Sequence, residues 1–416
     1  MKKITSFFSL LLAVFSLPLL AQNDCSNGRY LEPVFQEVVV TPGIPYGMAE
    51  TTFDTLNTGG VNNYPLFLDV YQAGLDIASN PRPVIMLAFG GAFVYGARVS
   101  PDIVELCQRY AQLGYVCVSI DYRLSDELLV NPSPENATKA VLKGTHDMKA
   151  AIRFLYRSAK DLSNPFNIDT NQIYVGGVSA GAFCALHAAY LEPDEIPEIL
   201  QDEFERTGGI EGRSGNPGYS TKVAGVINLC GALGKKEWLE RGDVPIVSMH
   251  GDQDGTVPYD EDTIRILDIN YPVAGSAAIH RRAEEVGVEN SFYTFVGADH
   301  VPFVGNAAYM DTTFNFTKVF MHKQVCAAST RIEEVNKSNS AFTVYPNPSS
   351  EFLEIKGDDN QLPKSVRIVD LNGGTVYYTE NPAIMKRIDV SYLKPGLYLI
   401  NMEEDSKTST QKLVIK

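Results

Sequence analysis

Short runs rich in β-branched residues alternate with segments of helical periodicity between residues 84 and 320. The runs are nearly continuous in apolar residues, which is typical of strands buried on both faces of a parallel sheet. Strands are predicted at residues 84–88, 115–120, 172–176, 223–229, 244–249 and 291–296, and helices at 102–112, 137–157 and 180–191. An alternating stretch at residues 66–71 indicates an antiparallel edge strand. The pattern predicts an α/β fold built on a doubly wound, mostly parallel sheet.

The two ends of the chain differ from this central region. Lys2 and Lys3 precede an apolar run that ends near Ala21, which predicts a signal peptide at residues 1–21 and export. Residues 22–328 then form the predicted catalytic domain, and the polar stretch 329–341 is typical of a linker. From residue 342 to 416 only strand-like runs occur, separated by Asn, Gly and Pro, which predicts a small β-sandwich.

Charge and cysteine spacing exclude several classes of function. The formal net charge of -15 disfavours nucleic acid or an anionic membrane surface as a partner, because both require clustered Lys and Arg. After the signal peptide, no stretch approaches the roughly 20 apolar residues of a membrane span. The six cysteines lack the C-x-x-C spacing of zinc or redox sites, and no pattern requires a metal or an organic cofactor. Among fifteen possible pairings, a disulfide between Cys25 and Cys326 would close the catalytic domain.

The strongest local motif is the pentapeptide Gly177-Val178-Ser179-Ala180-Gly181, which lies between a predicted strand and a predicted helix. A nucleophilic serine at such a sharp turn requires residues without bulk two positions before and after it. The helix that follows offers unpaired N–H groups to a developing oxyanion. The motif therefore predicts Ser179 as a nucleophile.

A general base should follow the serine in the sequence, after an acidic residue. His280 and His322 lie in helical patterns and are more typical of surface or packing positions. His300 follows a predicted strand and a short turn, and catalytic groups gather in such loops. We therefore expect His300 to be the base.

Two aspartates, Asp252 and Asp254, follow another predicted strand and compete for the role of orienting acid. The segment from His250 to Pro258 resembles the H-G-x-x-D-x-x-V-P turn of many α/β-hydrolases. This resemblance implies that Asp254 is the acid and that His250 is structural. A calcium-loop interpretation is poor, because the required Gly and Glu are absent from their positions.

An oxyanion hole is expected after an early strand, in the segment 89–96, where the small residues Gly90, Gly91 and Ala92 allow close backbone approach. The segment resembles the H-G-G-A-F-x-x-G segment of carboxylesterases, with Phe89 in place of the usual His. This implies that the N–H groups of Gly91, Ala92 and Ala180 bind the oxyanion. Residues 121–124 resemble the D-Y-R-L segment of the same families, which is expected to be a structural brace. Together these similarities to α/β-hydrolase serine esterases of the carboxylesterase and hormone-sensitive-lipase type span residues 66–302.

Substrate contacts are less well defined by the sequence. Phe93, Tyr95 and Phe183 are candidates for an acyl or aryl pocket, although each could equally be core. The acidic insertion at residues 192–220 interrupts the alternation, and it could be a lid or a surface excursion without a role.

The C-terminal region resembles the sorting domain of the type IX secretion system. The resemblance rests on Tyr345-Pro346-Asn347-Pro348-Ser349, Lys394-Pro395-Gly396-Leu397-Tyr398 and the terminal residues 411–416. It implies passage across an outer membrane with the type IX machinery as a partner, and a final location in the medium or on the cell surface. Composition alone would also allow a carbohydrate-binding or adhesive module.

These features together predict a secreted serine esterase that acts on short acyl or aromatic esters, such as acetyl or feruloyl groups. A serine peptidase of the prolyl-oligopeptidase type shares the serine turn, the acid turn and the late His. Such peptidases usually carry a large domain before the hydrolase core, for which the region after the signal peptide leaves no room. A binding protein without catalysis is the alternative from another class.

Overall fold

A computed structural model describes residues 25–51, 62–77, 80–266, 269–327, 342–357, 362–370, 374–381, 386–404 and 407–416. The predicted signal peptide and linker lie outside these ranges. The chain divides into two compact units, Met1–Ser329 and Thr330–Lys416. Each unit has its own hydrophobic core.

The first unit contains eleven described strands and seven α-helices. The strands are β1 (Val38–Thr51), β2 (Asn62–Ala73), β3 (Arg82–Ala88), β4 (Val116–Ile120), β5 (Ile168–Val178), β6 (Gly225–Leu229), β7 (Ala232–Leu233), β8 (Ile246–Gly251), β9 (Glu261–Ile266), β10 (Ile269–Gly275) and β11 (Asn290–Phe295). The helices are α1 (Pro101–Gln112), α2 (Asp126–Val130), α3 (Pro134–Asp161), α4 (Ala180–Tyr190), α5 (Gln201–Thr207), α6 (Ser276–Val286) and α7 (Ala307–Ala327). No helix in the described ranges is both long and apolar enough to cross a membrane.

Eight of these strands form one sheet in the order β1-β2-β4-β3-β5-β6-β8-β11. The pairs from β4 to β11 are parallel, whereas β2 is antiparallel to both β1 and β4. Every residue of β3 and β4 is buried, as expected for strands covered by helices on both faces. The predicted doubly wound, mostly parallel α/β fold is therefore confirmed.

The prediction that residues 66–71 form the edge strand is wrong. They belong to β2, and β1 pairs along its outer side. β1 contains Pro42, Gly43 and Pro45, which in the sequence are more typical of turns. Proline is tolerated on an edge strand because it has no N–H to donate, and the register of β1 shifts at both prolines.

Cys25 and Cys326 form a disulfide, as the sequence suggested. The bond ties the start of the described chain to the last turn of α7. The other four cysteines are free and buried. Cys117 and Cys184 lie on β4 and α4 in the core, where a cysteine packs as a small hydrophobic residue.

The second unit is all β in its described residues. It contains β12 (Phe342–Tyr345), β13 (Phe352–Gly357), β14 (Ser365–Val369), β15 (Thr375–Thr379), β16 (Arg387–Asp389), β17 (Gly396–Glu404) and β18 (Lys407–Ile415). They form two antiparallel sheets, in the orders β12-β13-β16 and β15-β14-β17-β18. Alternate residues of β12 and β13 are buried in a core shared with β14 and β17, which confirms the predicted small β domain.

Candidate active site

Ser179 lies at the junction between β5 and α4, at the carboxyl edge of the sheet. Its backbone has φ 51° and ψ -117°, a region that a residue with a side chain rarely adopts. The turn leaves no space for side chains at the flanking glycines. A Cβ on Gly177 would lie 2.3 Å from the carbonyl carbon of Gly181, and one on Gly181 would lie 2.2 Å from the oxygen of Ala88. The two glycines of the motif are therefore required by the shape of the turn.

Three side chains from the ends of β5, β8 and β11 meet beside this turn. Nε2 of His300 lies 2.8 Å from Oγ of Ser179, and Nδ1 of His300 lies 2.6 Å from Oδ2 of Asp254. An ionised carboxylate can only accept, so Nδ1 carries the proton and Nε2 is free to accept from the serine hydroxyl. The structure thus brings together Ser179, His300 and Asp254 as one hydrogen-bonded series.

The carboxylate of Asp254 is fully buried and has several donors. Its Oδ1 accepts hydrogen bonds of 2.8 Å from the N–H groups of Thr256 and Val257, and its Oδ2 accepts one of 3.0 Å from Nε2 of His250. Burial alone would raise the pKa of Asp254, but hydrogen bonds from His250 and His300 outweigh it and hold the pKa well below its ordinary value. Asp254 is therefore ionised.

The other candidate residues near this site have different partners. Asp252 accepts a 2.6 Å hydrogen bond from the N–H of Gly297. The second ring nitrogen of His250 lies 2.7 Å from Oγ of Ser276, so this histidine joins the acid turn to α6. His280 lies on α6, where its Nδ1 contacts the side-chain oxygen of Asn290. The positions of His250 and His280 match the structural roles expected from the sequence.

The loop after β3 runs directly past the serine. A Cβ on Gly90 would lie 3.3 Å from Cβ of Ser179. The next three residues have positive φ angles, 131° at Gly91, 52° at Ala92 and 64° at Phe93. The N–H groups of Gly91, Ala92 and Ala180 have no hydrogen-bond acceptor among the described residues. They are thus available to a substrate oxygen, which is what an oxyanion hole requires.

Two groups from distant segments fix the ends of this loop. The ring of Phe89 stacks on that of Tyr122 with a centroid distance of 4.2 Å, and the Tyr122 hydroxyl donates a 3.0 Å hydrogen bond to the carbonyl of Phe89. At the far end, the guanidinium of Arg98 forms ion pairs of 2.7 Å with both Asp69 and Asp121. Aromatic stacking therefore anchors the loop at the position where the similar families have a histidine.

An apolar pocket with a volume of about 100 Å³ opens beside Ser179. Phe93 and Phe183 are in its wall, as the sequence suggested. Tyr95 is not in that wall, and 68% of its surface is exposed. The reason is the tight turn in which the N–H of Tyr95 donates to the carbonyl of Gly91, which reverses the chain before Tyr95.

The insertion at residues 192–220 has two parts with different contacts. Pro197 and Leu200, in its first part, lie in the wall of the pocket. In the second part, the hydroxyl of Ser214 donates to Asp147 and accepts from Arg123, each at 2.6 Å. Arg123 also pairs with Asp147, and this buried cluster gives the D-Y-R-L segment the bracing role that its resemblance implied.

Several pocket residues could not be identified from the sequence. They are apolar positions on α3, near β7 and on the hairpin of β9 and β10, such as Leu142, Trp238 and Val273. In the sequence they are indistinguishable from core. The exception is His187, because a histidine in the otherwise apolar helix α4 is a polar residue where burial is expected.

One group of side chains in the described ranges has the types and spacing that a metal ion would need. Ligand atoms of Cys230, Asp254 and His300 all lie within 4.8 Å of one another. However, Oδ2 of Asp254 and Nδ1 of His300 are 2.6 Å apart and hydrogen-bonded to each other. Burial raises the pKa of the Cys230 thiol to about 12, which disfavours the thiolate that a metal binds best. The geometry fits a proton-transfer series better than a metal centre.

Two family models match separate parts of the chain. Residues 68–234 match the BD-FAE family, and residues 343–416 match the family described as a secretion system C-terminal sorting domain. The first match includes the loop after β3, the D-Y-R-L segment and the serine turn. The second match extends from β12 to the last residue, so the chain is an exported protein of the cell surface or the medium.

Curated relatives and solved structures resemble the first unit. Esterase LipC of Mycobacterium tuberculosis is 32% identical over 151 residues, which are 35% of this chain and 33% of that protein. The non-reducing polyketide synthase pkbA of Emericella nidulans is 25% identical over 36% of this chain and 6% of its own length. This chain thus spans about a third or less of the curated relatives it matches.

Among solved structures, the propionate-bound esterase Est2 of Thermogutta terrifontis is 20% identical, with a TM-score of 0.45 over 66% of this chain and 93% of that chain. A truncated carbohydrate esterase from gut microbiota is 17% identical, with a TM-score of 0.46 over 72% of this chain and 99% of that one. The family matches and the sheet topology lead to one assignment. The chain joins an α/β-hydrolase unit, which is similar to the BD-FAE family over residues 68–234, to a C-terminal unit that is similar to secretion system C-terminal sorting domains over residues 343–416.

Proposed function

We propose that this protein is an exported serine esterase, with Ser179 as nucleophile, His300 as general base and Asp254 as the acid that orients the base. The observation that carries the proposal is the continuous hydrogen-bonded series from Asp254 through His300 to Ser179, with distances of 2.6 and 2.8 Å. The series ends at an open apolar pocket rather than in the core. The match of residues 68–234 to an esterase family supports the same reaction class.

In the proposed reaction, Nε2 of His300 takes the proton of the Ser179 hydroxyl as its oxygen attacks the ester carbonyl. Asp254 holds the tautomer with the proton on Nδ1 and stabilises the imidazolium that forms. The N–H groups of Gly91, Ala92 and Ala180 stabilise the oxyanion. His300 then protonates the leaving alcohol, and water hydrolyses the acyl-enzyme by the same steps in reverse.

The pocket is proposed to hold the acyl group rather than the alcohol. The leaving oxygen must lie beside His300, which gives it a proton. Ser179, Ala180 and Ala92 lie in the described wall of the pocket, whereas His300 does not. The walls are mostly apolar and aromatic, so an aromatic or other apolar acyl group suits this space better than acetyl alone. Pro197 and Leu200 would give the first part of the insertion a covering role over this group.

The test is hydrolysis of p-nitrophenyl acetate and of aromatic methyl esters by the wild type and by Ser179→Ala. We expect kcat to fall by at least about 10⁴-fold in the variant, because no other group replaces the nucleophile. A fluorophosphonate probe should label the wild type and not the variant. An unlabelled wild type, or equal turnover by a folded Ser179→Ala protein, would contradict the proposal.

A further inference from the structure

The sulfur atoms of Cys107 and Cys117 lie 3.0 Å apart in the core of the first unit. Non-bonded carbon atoms pack at about 3.5 to 4.0 Å, and sulfur is the larger atom, so the two thiols are closer than ordinary packing would place them. A disulfide has an S–S length of about 2.05 Å, so the sulfurs need to approach each other by only about 1 Å to bond.

A tight reversal of the chain brings these two cysteines together. Cys107 lies on the buried face of α1, and Cys117 lies on β4, the next strand along the chain. The reversal is fixed by the N–H of Gly114, which donates a 2.9 Å hydrogen bond to the carbonyl of Ala111, and by the φ of 102° at Gly114. The contact between the sulfurs therefore depends on a short segment in which they are ten positions apart.

The other two free cysteines have different neighbours. The sulfur of Cys184 lies against the backbone of α3. The thiol of Cys230 lies within 4.8 Å of the carboxylate of Asp254. Of the free cysteines in the described ranges, only Cys107 and Cys117 contact another sulfur.

We propose that Cys107 and Cys117 form a second disulfide during export. Exported proteins pass through oxidising compartments, where disulfides form and persist, and the bond between Cys25 and Cys326 is of this kind. The oxidant is a thiol–disulfide oxidoreductase in its disulfide form.

The exchange proceeds in two steps. The thiolate of one cysteine attacks the disulfide of the oxidant and releases one of its thiols, which leaves a mixed disulfide. The second cysteine attacks the sulfur of the first and releases the other thiol of the oxidant. Two thiols of this chain are thus oxidised, and the disulfide of the oxidant is reduced to two thiols, which take up the two protons that the cysteines lose.

Burial determines when this bond forms. Both side chains are fully buried, and burial raises the pKa of the Cys107 thiol well above its usual range. Because the thiolate is the attacking form, the folded protein reacts poorly with an oxidant. A loop of about ten residues closes in about 10–100 ns, whereas Cys25 and Cys326 are 301 positions apart. The bond between Cys107 and Cys117 therefore forms first, before α1 packs on the sheet.

The bond joins two elements that lie next to the oxyanion loop. α1 begins at Pro101, shortly after Arg98, and β4 ends directly before Asp121, which pairs with Arg98. A disulfide between the helix and the strand therefore adds a covalent link to the ionic support at the far end of the loop.

The test is tryptic mapping of the protein after its export to the periplasm of a bacterial host. The protein is denatured in mildly acidic buffer, which slows exchange by removing thiolate, and free thiols are labelled with N-ethylmaleimide. Trypsin cuts after Arg98, Arg109 and Arg123. The two cysteines therefore fall in separate peptides, residues 99–109 and 110–123. We expect these peptides as one linked species that a reductant divides into two.

Matched variants locate the link. Cys184→Ala removes a buried thiol that has no sulfur neighbour among the described residues, and it should keep the linked species. In Cys117→Ala the peptide 99–109 should appear alone, with the maleimide on Cys107. Separate, labelled peptides from the exported wild type would overturn the inference, as would a link from either cysteine to Cys184 or Cys230.

A second measurement tests the order of formation. The reduced full chain is refolded with oxidised glutathione, and samples are quenched with acid at intervals and mapped in the same way. We expect the link between residues 99–109 and 110–123 to form at least about tenfold faster than the bond between Cys25 and Cys326, because its loop is short. A link that appears only after the bond between Cys25 and Cys326 would overturn this order.

Discussion

The acid turn at residues 250–258 and the oxyanion loop at residues 89–96 both follow the carboxyl end of a buried strand, but they are fixed in different ways. The carboxylate of the acid turn is held mainly by groups of the turn itself. His250, Thr256 and Val257 all donate to Asp254, so the groups that fix the carboxylate lie within seven residues of one another. The carboxylate thus has most of its donors within its own turn, although the turn also bonds to α6 and to the loop after β11. A short stretch of sequence is enough to identify it.

The oxyanion loop is held from outside. Its first residue depends on Tyr122, which follows β4, and its far end depends on ion pairs of Arg98 with Asp69 and Asp121. Its own residues contribute backbone conformation, with positive φ from Gly91 to Phe93. Two loops beside the same serine can therefore differ in how far away along the chain their support lies.

The largest expected loss of activity comes from a substitution at the centre of the acid turn. In Asp254→Asn the amide cannot hold the proton on Nδ1 of His300 in the same way, and we expect kcat to fall by about 10³- to 10⁴-fold. Ester hydrolysis under saturating substrate measures this loss. Asp252→Asn is the matched control, because Asp252 contacts the N–H of Gly297 rather than His300.

We expect Asp252→Asn to stay within about threefold of wild-type kcat, as is usual for a substitution away from the reacting groups. If the two variants exchanged these results, Asp252 would be the orienting acid. Comparable losses in both would mean that the turn acts as a unit and that Asp254 has no separate role.

The same contrast explains what could be predicted from the sequence. Strand and helix periodicity was enough for the parallel sheet, because its central strands β3, β4, β6 and β8 are short and fully buried. Ser179 and Asp254 each stand in a local motif whose shape depends on adjacent residues. His300 follows from its position after a strand. Features that depend on residues near in sequence could therefore be predicted.

Features that depend on distant residues could not. The sequence of β1 is typical of turns because it contains prolines. A strand tolerates these prolines only at the edge of the sheet, and the sequence does not show that β1 lies there. In the sequence, Phe89 looks like a missing anchor because it replaces the usual histidine. Its stacking partner Tyr122 is 33 positions away, so the sequence does not show that Phe89 is itself an anchor. Tyr95 is predicted to line the pocket because it is close to Phe93 in the sequence, but the turn between them directs the chain outward.

A second prediction compares one glycine from each loop. Gly91 has φ 131°, and a Cβ there would lie 2.1 Å from the carbonyl oxygen of Tyr95, so Gly91→Ala must displace the oxyanion loop. We expect kcat to fall by about 10² to 10³, the usual cost of a lost oxyanion donor. Gly255 of the acid turn has open space, because the nearest atom to a Cβ there would be 3.8 Å away, and Gly255→Ala should stay within about twofold.

Steady-state kinetics and thermal unfolding of the two alanine variants separate misplacement of the loop from loss of folding. If Gly91→Ala kept full activity, the N–H groups of the oxyanion loop would not be the oxyanion donors. If Gly255→Ala lost as much activity as Gly91→Ala, the acid turn would be as sensitive to backbone change as the loop, and the difference between them would disappear.

The smallest expected effect tests the external support directly. Tyr122→Phe keeps the stacking on Phe89 but removes the hydrogen bond to its carbonyl, so the oxyanion loop loses one anchor. Tyr115 is a matched control, since its buried hydroxyl donates to the backbone carbonyl of Tyr30, away from the loop. Each Phe variant should lose about 1 kcal/mol in the free energy of unfolding.

Only Tyr122→Phe should also lose activity, by roughly three- to tenfold in kcat with little change in KM, since a loosened loop weakens stabilisation of the oxyanion more than substrate binding. Chemical denaturation and ester kinetics on both variants measure the two quantities. Equal kcat values in the two variants would mean that the stacked ring of Phe89, together with the Arg98 ion pairs, holds the loop without the hydroxyl. The external support would then be aromatic and ionic at its two ends, and the hydrogen bond of Tyr122 would contribute to stability alone.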